Sequence, residues 1–239
     1  MKYSSHIFIV LILIIFYYVF YYTSVHSFEK KSFFYQNIDK FWAHRVLTED
    51  EFNNSSLVFK GVEIDLYFDS LNNHFLIKHD KIVNNQTLKD FLGSVDNSKM
   101  FYWFDLKNLS SKNYKNSYDR FLFLDSLFKL NDRIIIESKN INYLSNFKNF
   151  NICYWLKDYS FFSSIFNIYK IKSNLIKFRP NAISCDYKSV DFYSNKFPNY
   201  NLICWTNNMN YIKENKKLSK IVSKKNVKIV LVNQEMRWT

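Results

Sequence analysis

The chain has 239 residues, of which 48% are hydrophobic and 20% aromatic, and it carries a formal net charge of +12. This length accommodates one sizeable domain with little room for a second. The lysines are scattered, and their densest run, residues 213–225, is typical of a helix with a solvated face, so the charge does not indicate a nucleic-acid-binding protein. The cysteines lack the spacing of a zinc site or a disulfide framework, which predicts three buried free thiols, Cys153, Cys185 and Cys204.

The N-terminal segment is strongly apolar. Residues 7–22 are sixteen uncharged, almost wholly apolar residues, and residues 23–27 extend them toward the length of a membrane-spanning helix. The early Lys2 fits a signal sequence, and no clear cleavage site follows the run. We therefore predict an uncleaved signal anchor over residues 1–27, with a cleaved signal peptide as the alternative.

The polar, aromatic-rich stretch that follows is interpreted as a linker over residues 28–38, which leads into a single domain over residues 39–239. We expect this domain on the extracytoplasmic side of the membrane. Lys30 and Lys31 follow the apolar run and oppose a simple positive-inside orientation, so a cytoplasmic domain stays open as the alternative.

The rest of the chain alternates between strand-like and helix-like segments. Short β-branched or aromatic runs predict strands at residues 41–46, 61–68, 100–107, 133–138, 152–156, 182–187, 202–207 and 227–233. Most are separated by segments with helical spacing, such as 117–130, and a further strand at 74–80 follows the turn "DSLNN" as a hairpin. This order predicts an α/β fold, a small (β/α)₈ TIM barrel preceded by the transmembrane helix. A doubly wound open sheet is the alternative, but its Gly-rich phosphate loop is missing after the first strand.

Two of these strands carry charged residues on one face. Strand periodicity places Glu63 with Asp65 on one face, and Asp105 with Lys107 on one face, while the opposite faces are apolar. In a barrel the apolar faces pack under the helices, so the carboxylates point inward, where charge is costly unless it is paired or bound to metal. Three inward carboxylates form a hard oxygen site for one divalent cation, Ca²⁺ or Mg²⁺. A solvent-facing strand is the alternative.

The first half of the domain resembles a known family. The motifs "HR", "GVEID", "KHD" and "FDLK" follow one another between Phe41 and Asn108. In this order they are similar to the His-Arg-Gly, Glu-x-Asp, His-Asp and Glu-x-Lys motifs of the glycerophosphodiester phosphodiesterases, within the phospholipase-C-like phosphodiesterase barrels. The later "CWTNN", residues 204–208, is compatible with that family's Trp-Thr strand, and the early motifs also resemble the menorin-like branch of related barrels.

The resemblance implies roles for four residues around a phosphate group. It makes His44 and His79 the general acid and base, one to take a proton and one to return it to the leaving oxygen. It makes Arg45 and Lys107 the cations that neutralise the phosphate. Four further residues at strand ends are predicted to line the pocket without an assigned role: Asp80, Glu137, Asp186 and Trp205.

For the metal, the resemblance implies that Glu63, Asp65 and Asp105 hold one divalent cation. The sequence departs from the family pattern in three ways, one of which is that the Glu-Asn pair usual just downstream of His-Arg is absent. Val46 stands where Gly is expected after His-Arg, and the third acid is Asp105 instead of the longer Glu.

The resemblance and the apolar N-terminal segment together predict a membrane-anchored, metal-dependent phosphodiester hydrolase. Its expected substrate is a small glycerophosphodiester or a related lipid or envelope phosphodiester, and no nucleic acid is expected as a partner. Two alternatives stay open. One is a catalytically divergent barrel that serves as a membrane-anchored ligand-binding module, and the other is a metal-free lyase that works through the two histidines. The sequence does not indicate an oligomeric state.

Overall fold

The computed structural model describes residues 2–26, 39–79, 82–96, 99–157, 164–210 and 212–233. The predicted linker over residues 28–38 and the predicted pocket residue Asp80 lie outside the described residues.

The secondary structure alternates as expected from the sequence. The strands are β1 (Phe41–Ala43), β2 (Gly61–Asp69), β3 (His74–His79), β4 (Ile82–Thr87), β5 (Phe101–Leu106), β6 (Ile134–Ser138), β7 (Asn151–Trp155), β8 (Ala182–Asp186), β9 (Asn201–Asn210) and β10 (Val227–Asn233). The helices are α1 (Lys2–His26), α2 (Glu49–Ser56), α3 (Leu88–Ser94), α4 (Tyr114–Phe128), α5 (Ile141–Leu144), α6 (Ser164–Phe178), α7 (Val190–Lys196) and α8 (Asn215–Val222). Short 3₁₀ turns precede β6 and follow β8.

Eight parallel strands of the described chain close into a barrel. Their order is β1-β10-β9-β8-β7-β6-β5-β2, and β2 pairs back to β1 where Ala43 lies opposite Val62. The closure excludes the open-sheet alternative and confirms the predicted (β/α)₈ barrel.

The predicted hairpin after the second strand is also confirmed. Strand β2 continues past the barrel and pairs antiparallel with β3, which in turn pairs with β4. Asp69 fixes the turn, because its carboxylate accepts the backbone N–H of Leu71 at 2.9 Å and the side-chain amide of Asn72 at 2.8 Å. The hairpin brings His79, at the end of β3, to the mouth of the barrel.

Apolar side chains pack on both faces of the barrel strands. Outward residues such as Ile64 and Phe104 join the large core beneath the helices. Inward residues form a second cluster that fills the barrel itself: Trp42, Trp103, Ile135, Cys153, Ala182, Ile203, Ile229 and Leu231. The cysteines at positions 153, 185 and 204 are buried free thiols, as the sequence predicts.

Gly61 is required where β2 passes Trp42. A Cβ atom at Gly61 would lie 2.2 Å from Cδ2 and 2.4 Å from Cε2 of the Trp42 indole. The absence of a side chain therefore lets the indole lie flat against β2 and fill the barrel floor.

Within the described part of the chain, no helix has the length and apolar character needed to cross a membrane.

Candidate active site

A cavity of about 180 Å³ opens at the carboxyl ends of the barrel strands. Its lining includes all seven residues to which the sequence resemblance gives a role: His44, Arg45, Glu63, Asp65, His79, Asp105 and Lys107. Active sites of parallel barrels form at this end, so the position of the cavity makes it the candidate active site.

Three carboxylates converge in this cavity. Asp65 and Asp105 lie side by side on neighbouring strands, and Glu63 is one inward position earlier on β2. One oxygen atom from each carboxylate lies within 4.8 Å of the others. The predicted inward direction of these acids is therefore confirmed, and the solvent-facing alternative for β2 is excluded.

Lys107 lies between two of these acids. Its ammonium group contacts the carboxylates of both Asp65 and Asp105. Burial alone would lower the pKa of Lys107, but the carboxylates of Asp105, Asp65 and Glu63 outweigh burial and raise it. Lys107 is therefore a permanent cation whose charge is largely offset by its neighbours.

Glu63 is oriented by the backbone of the loop after β1. Arg45 has a left-handed backbone with φ of 58°, which turns its N–H toward Glu63, and it donates to Oε2 at 2.7 Å. The next residue, Val46, donates its N–H to the Glu63 carbonyl at 2.9 Å and buries its side chain completely. Burial and the charge of Asp65 raise the pKa of Glu63 well above its ordinary value.

The two predicted catalytic histidines approach this acid cluster from different elements. Nε2 of His44, after β1, lies 4.0 Å from Oε2 of Glu63, and Nε2 of His79, on β3, lies 3.7 Å from Oδ2 of Asp65. Burial, reinforced by Arg45 and Lys107, lowers the pKa of His44 to about 3, against the opposing effect of a hydrogen bond with Asn233. His44 is therefore neutral at neutral pH.

The remaining predicted pocket residues have different positions. Glu137 and Trp205 line the cavity, whereas Asp186 is not among the lining residues. Instead, Asp186 caps the 3₁₀ turn after β8, where its carboxylate accepts the Lys188 backbone N–H at 2.8 Å.

Glu137 is a buried acid beside the carboxylate cluster. It pairs in register with Asp105, and its Oε2 has no hydrogen-bond partner among the described residues. Burial, then the charge of Asp105, raises the pKa of Glu137 well above its ordinary value, partly offset by a hydrogen bond with Ser184.

Sequence reasoning did not identify two polar or aromatic residues of the cavity wall, Lys139 and Trp155. A signal existed for the lysine, because Glu137-Ser-Lys139 repeats the acid-x-lysine spacing of Asp105-Leu-Lys107 on the neighbouring strand. Nothing comparable marks Trp155, whose position in the wall depends on where β7 ends.

Aromatic rings cover the wall formed by β7 and β9. The indoles of Trp155 and Trp205 stack with centroids 5.7 Å apart and planes 3° from parallel. Lys139, which follows β6, places its Nζ 4.5 Å from the centroid of the Trp155 ring. One wall of the cavity is thus charged and acidic, and the other is aromatic with a single cation.

Neither a protein-family model nor a curated protein matches this sequence. Solved structures match by fold. One is a glycerophosphodiester phosphodiesterase from Parabacteroides distasonis, 15% identical, with a TM-score of 0.61 over 81% of this chain and 92% of that one. Another is an Oleispira antarctica phosphodiesterase in complex with its product sn-glycerol-3-phosphate, 12% identical, with a TM-score of 0.63 over 85% and 97% of the two chains.

The fold is also similar to that of a protein of another kind. A glycerol uptake operon antiterminator regulatory protein from Listeria monocytogenes is 12% identical, with a TM-score of 0.57 over 88% of this chain and 98% of that one. At such identities the likeness establishes the barrel fold, while function has to be argued from the site.

Proposed function

We propose that this protein is a phosphodiester hydrolase that uses one divalent cation and acts on glycerophosphodiesters or related lipid-derived phosphodiesters. One observation carries the proposal: the three carboxylates, two histidines and two cationic side chains to which the sequence resemblance gives a role all converge in one cavity at the carboxyl end of a parallel barrel.

The carboxylate cluster fits a divalent cation. Oδ2 of Asp65 is buried without a hydrogen-bond partner among the described residues, and Lys107 contacts the other oxygen, Oδ1. Carboxylate oxygens are the ligands that Ca²⁺ and Mg²⁺ prefer. A cation held by Glu63, Asp65 and Asp105 would supply positive charge to the oxygens of the phosphodiester.

Two cationic side chains add to this charge. A phosphodiester is anionic, and the charge on its oxygens must be stabilised as the phosphorus is attacked. Arg45 is exposed in the cavity wall, and Lys107 lies deeper, between its carboxylate partners. We assign both to the phosphate, with the shared carboxylates holding Lys107 in position.

The histidines carry the proton transfers. Because His44 is neutral, its imidazole has a lone pair to accept the proton of the attacking hydroxyl group or water. When His79 carries a proton, Asp65 is its ion-pair partner, and His79 returns that proton to the leaving oxygen. Both imidazoles line the cavity that would receive the phosphate.

The choice of glycerophosphodiesters rests on the fold neighbours and the size of the cavity. The P. distasonis enzyme is a glycerophosphodiester phosphodiesterase, and the O. antarctica enzyme holds sn-glycerol-3-phosphate. A cavity of about 180 Å³ is in keeping with a substrate group of that size.

The test is hydrolysis by the full chain. We expect turnover of bis(p-nitrophenyl) phosphate and of at least one glycerophosphodiester with Ca²⁺ or Mg²⁺, and its loss in EDTA. His44→Ala and Glu63→Gln should each lower kcat by at least about 100-fold, which is the contribution typical of one acid–base or electrostatic group.

The matched control is His74→Ala. This histidine begins β3 and pairs with Asp69 at 3.7 Å, in the hairpin turn and outside the cavity lining, so we expect activity to be retained. Folded protein that hydrolyses no diester with any cation would contradict the proposal and favour the ligand-binding module. Turnover that EDTA leaves intact would contradict the metal assignment and favour the histidine-only lyase.

A further inference from the structure

We infer that Lys139, Trp155 and Trp205 form the head-group subsite of this cavity, and that the subsite selects a polyol head group, such as glycerol or inositol, over a quaternary ammonium head group, such as choline. This inference rests on the proposed phosphodiester substrate. It concerns a residue, Lys139, that has no part in the acid–base and metal assignments above.

The strand order separates the subsite from the reacting groups. Around the closed barrel, β7 lies opposite β1, and β9 lies opposite β5. Trp155 therefore faces the side that carries His44, and Trp205 faces the side that carries Asp105. A phosphate held at the acidic wall would direct the rest of a small diester toward the aromatic wall.

The stacked indoles on their own would accept two chemical classes. An exposed aromatic face attracts a quaternary ammonium group through its quadrupole, and it also packs against the C–H groups of a polyol. Trp155 and Trp205 are both half-buried and stack with almost parallel planes, so each indole restrains the orientation of the other. The aromatic wall therefore does not by itself decide between choline and a polyol.

Lys139 decides between them. Its ammonium lies 4.5 Å from the Trp155 centroid, so a cation already occupies the position over this ring that choline would seek. Lys107 is held by two carboxylates, whereas Lys139 acts on Asp105 only at longer range and joins no ion pair within 4.0 Å among the described residues. Its charge thus repels a second cation, while its N–H groups can donate to hydroxyl oxygens.

Backbone contacts hold these side chains in place. Asn140, next to Lys139, donates from its amide to the Leu109 carbonyl at 2.5 Å and so ties the loop after β6 to the loop after β5. Leu156, next to Trp155, donates its N–H to the Ser184 carbonyl at 2.9 Å. These contacts fix the backbone beside Lys139 and Trp155, and a subsite on a fixed backbone is preorganised to discriminate.

The experiment compares three substrates on the 239-residue chain: glycerophosphocholine, glycerophosphoglycerol and glycerophosphoinositol. We expect kcat/KM for the better polyol diester to exceed that for glycerophosphocholine by at least about tenfold, which equals about 1.4 kcal/mol. In Lys139→Met the ratio should fall below about threefold, since the length of the side chain is kept and the charge is lost. Lys139→Arg keeps the cation and should restore the preference.

Two further measurements isolate the subsite. Lys148→Met removes the same charge from an exposed lysine before β7, outside the cavity lining, and should leave the preference unchanged. Calorimetric binding of the three diesters to a His44→Ala protein measures the same preference without turnover. A purely structural role of Lys139 would instead lower activity equally on all three substrates and on bis(p-nitrophenyl) phosphate.

The outcomes separate this inference from the proposed hydrolysis. If no diester is turned over but the polyol diesters bind more tightly and Lys139→Met removes that difference, hydrolysis fails and the subsite stands. If all three diesters are turned over or bound equally, or if Lys139→Met keeps the preference, the subsite inference is overturned. Binding of none of the diesters also overturns it.

Discussion

The barrel interior has two regions, an apolar floor that includes Trp42 and Trp103 and a charged mouth that includes Asp65 and Asp105. Both are built on the inward faces of the barrel strands. On β5 the inward position changes from Trp103 to Asp105 in one step of two residues, and on β6 it changes from Ile135 to Glu137. The floor gains stability from buried apolar surface, whereas each acid at the mouth loses solvation when it is buried. The comparison shows that the inward face of one strand packs in the core at its start and carries the reactive groups at its end. No other inward-facing residue lies between the two regions.

The largest expected effect tests whether the acids of the mouth act as a chemical unit. Asp65→Asn keeps the shape of the side chain but removes the charge that faces both Lys107 and His79. We expect kcat/KM for bis(p-nitrophenyl) phosphate to fall by about 1,000-fold, or about 4 kcal/mol of barrier. Circular dichroism and the melting temperature (Tm) will show whether the variant is folded.

The control for this substitution is another buried acid at a strand end. Asp186→Asn keeps an acceptor for the Lys188 N–H and lies outside the cavity lining, so we expect activity within about threefold of the parent. Comparable losses of activity in both variants would mean that any buried carboxylate at this end of the barrel is needed for stability. The acids of the mouth would then not act as a separate chemical unit.

A smaller effect is expected at the floor. The chain has 2 glycines, and they form a matched pair. Gly61→Ala forces a Cβ into the Trp42 indole and should destabilise the protein by about 1–3 kcal/mol. Gly93→Ala, in helix α3, meets no atom within 4 Å and should instead stabilise it by about 0.5–1 kcal/mol. Chemical denaturation measures both.

The same pair tests whether floor and mouth are independent. At a temperature where Gly61→Ala is still fully folded, we expect its kcat to match that of the parent, because the strain falls on the indole at the floor. A kcat reduced by tenfold or more would show that the packing of Trp42 positions the acids above it. The floor and the mouth would then not be independent.

Local patterns made the fold and the acidic half of the site predictable. The alternation of apolar and polar residues in 61–68 and 100–107 shows which face of each strand is apolar. In a barrel the apolar face packs under the helices, so the acids on the opposite face point inward. The hairpin was recognisable from the turn sequence before His74. Each of these inferences needs only residues that are close together in the chain.

The aromatic half of the site depends on the exact ends of strands, which a sequence does not reveal. Glu137 is the second-last residue of β6 and reaches the cavity, whereas Asp186 is the last residue of β8 and turns back to cap the next turn. The contact between Lys139 and Trp155 joins the segment after β6 to the end of β7, so it could be inferred only from the closed structure.

The smallest expected effect measures what a buried acid of the mouth costs in stability. The pKa of Glu137 is raised well above the ordinary value of 4.5, so the folded state keeps this proton where the unfolded chain has lost it. The free energy of unfolding therefore falls as the pH rises from about 4.5 toward the pKa in the folded state. Glu137→Gln cannot titrate and should lack this part of the pH dependence.

In metal-free protein we expect Glu137→Gln to match the parent in Tm near pH 4 and to exceed it at pH 8 by about 2–4 °C, which corresponds to about 1 kcal/mol for a chain of this size. Asp119→Asn, which neutralises an exposed acid on α4, should leave the difference between the two pH values unchanged. If Glu137→Gln instead melts lower than the parent at pH 8, the charged carboxylate is compensated inside the barrel. The buried acid at position 137 would then not lower the stability of the folded protein. The mouth would differ from the floor only in its reactive groups.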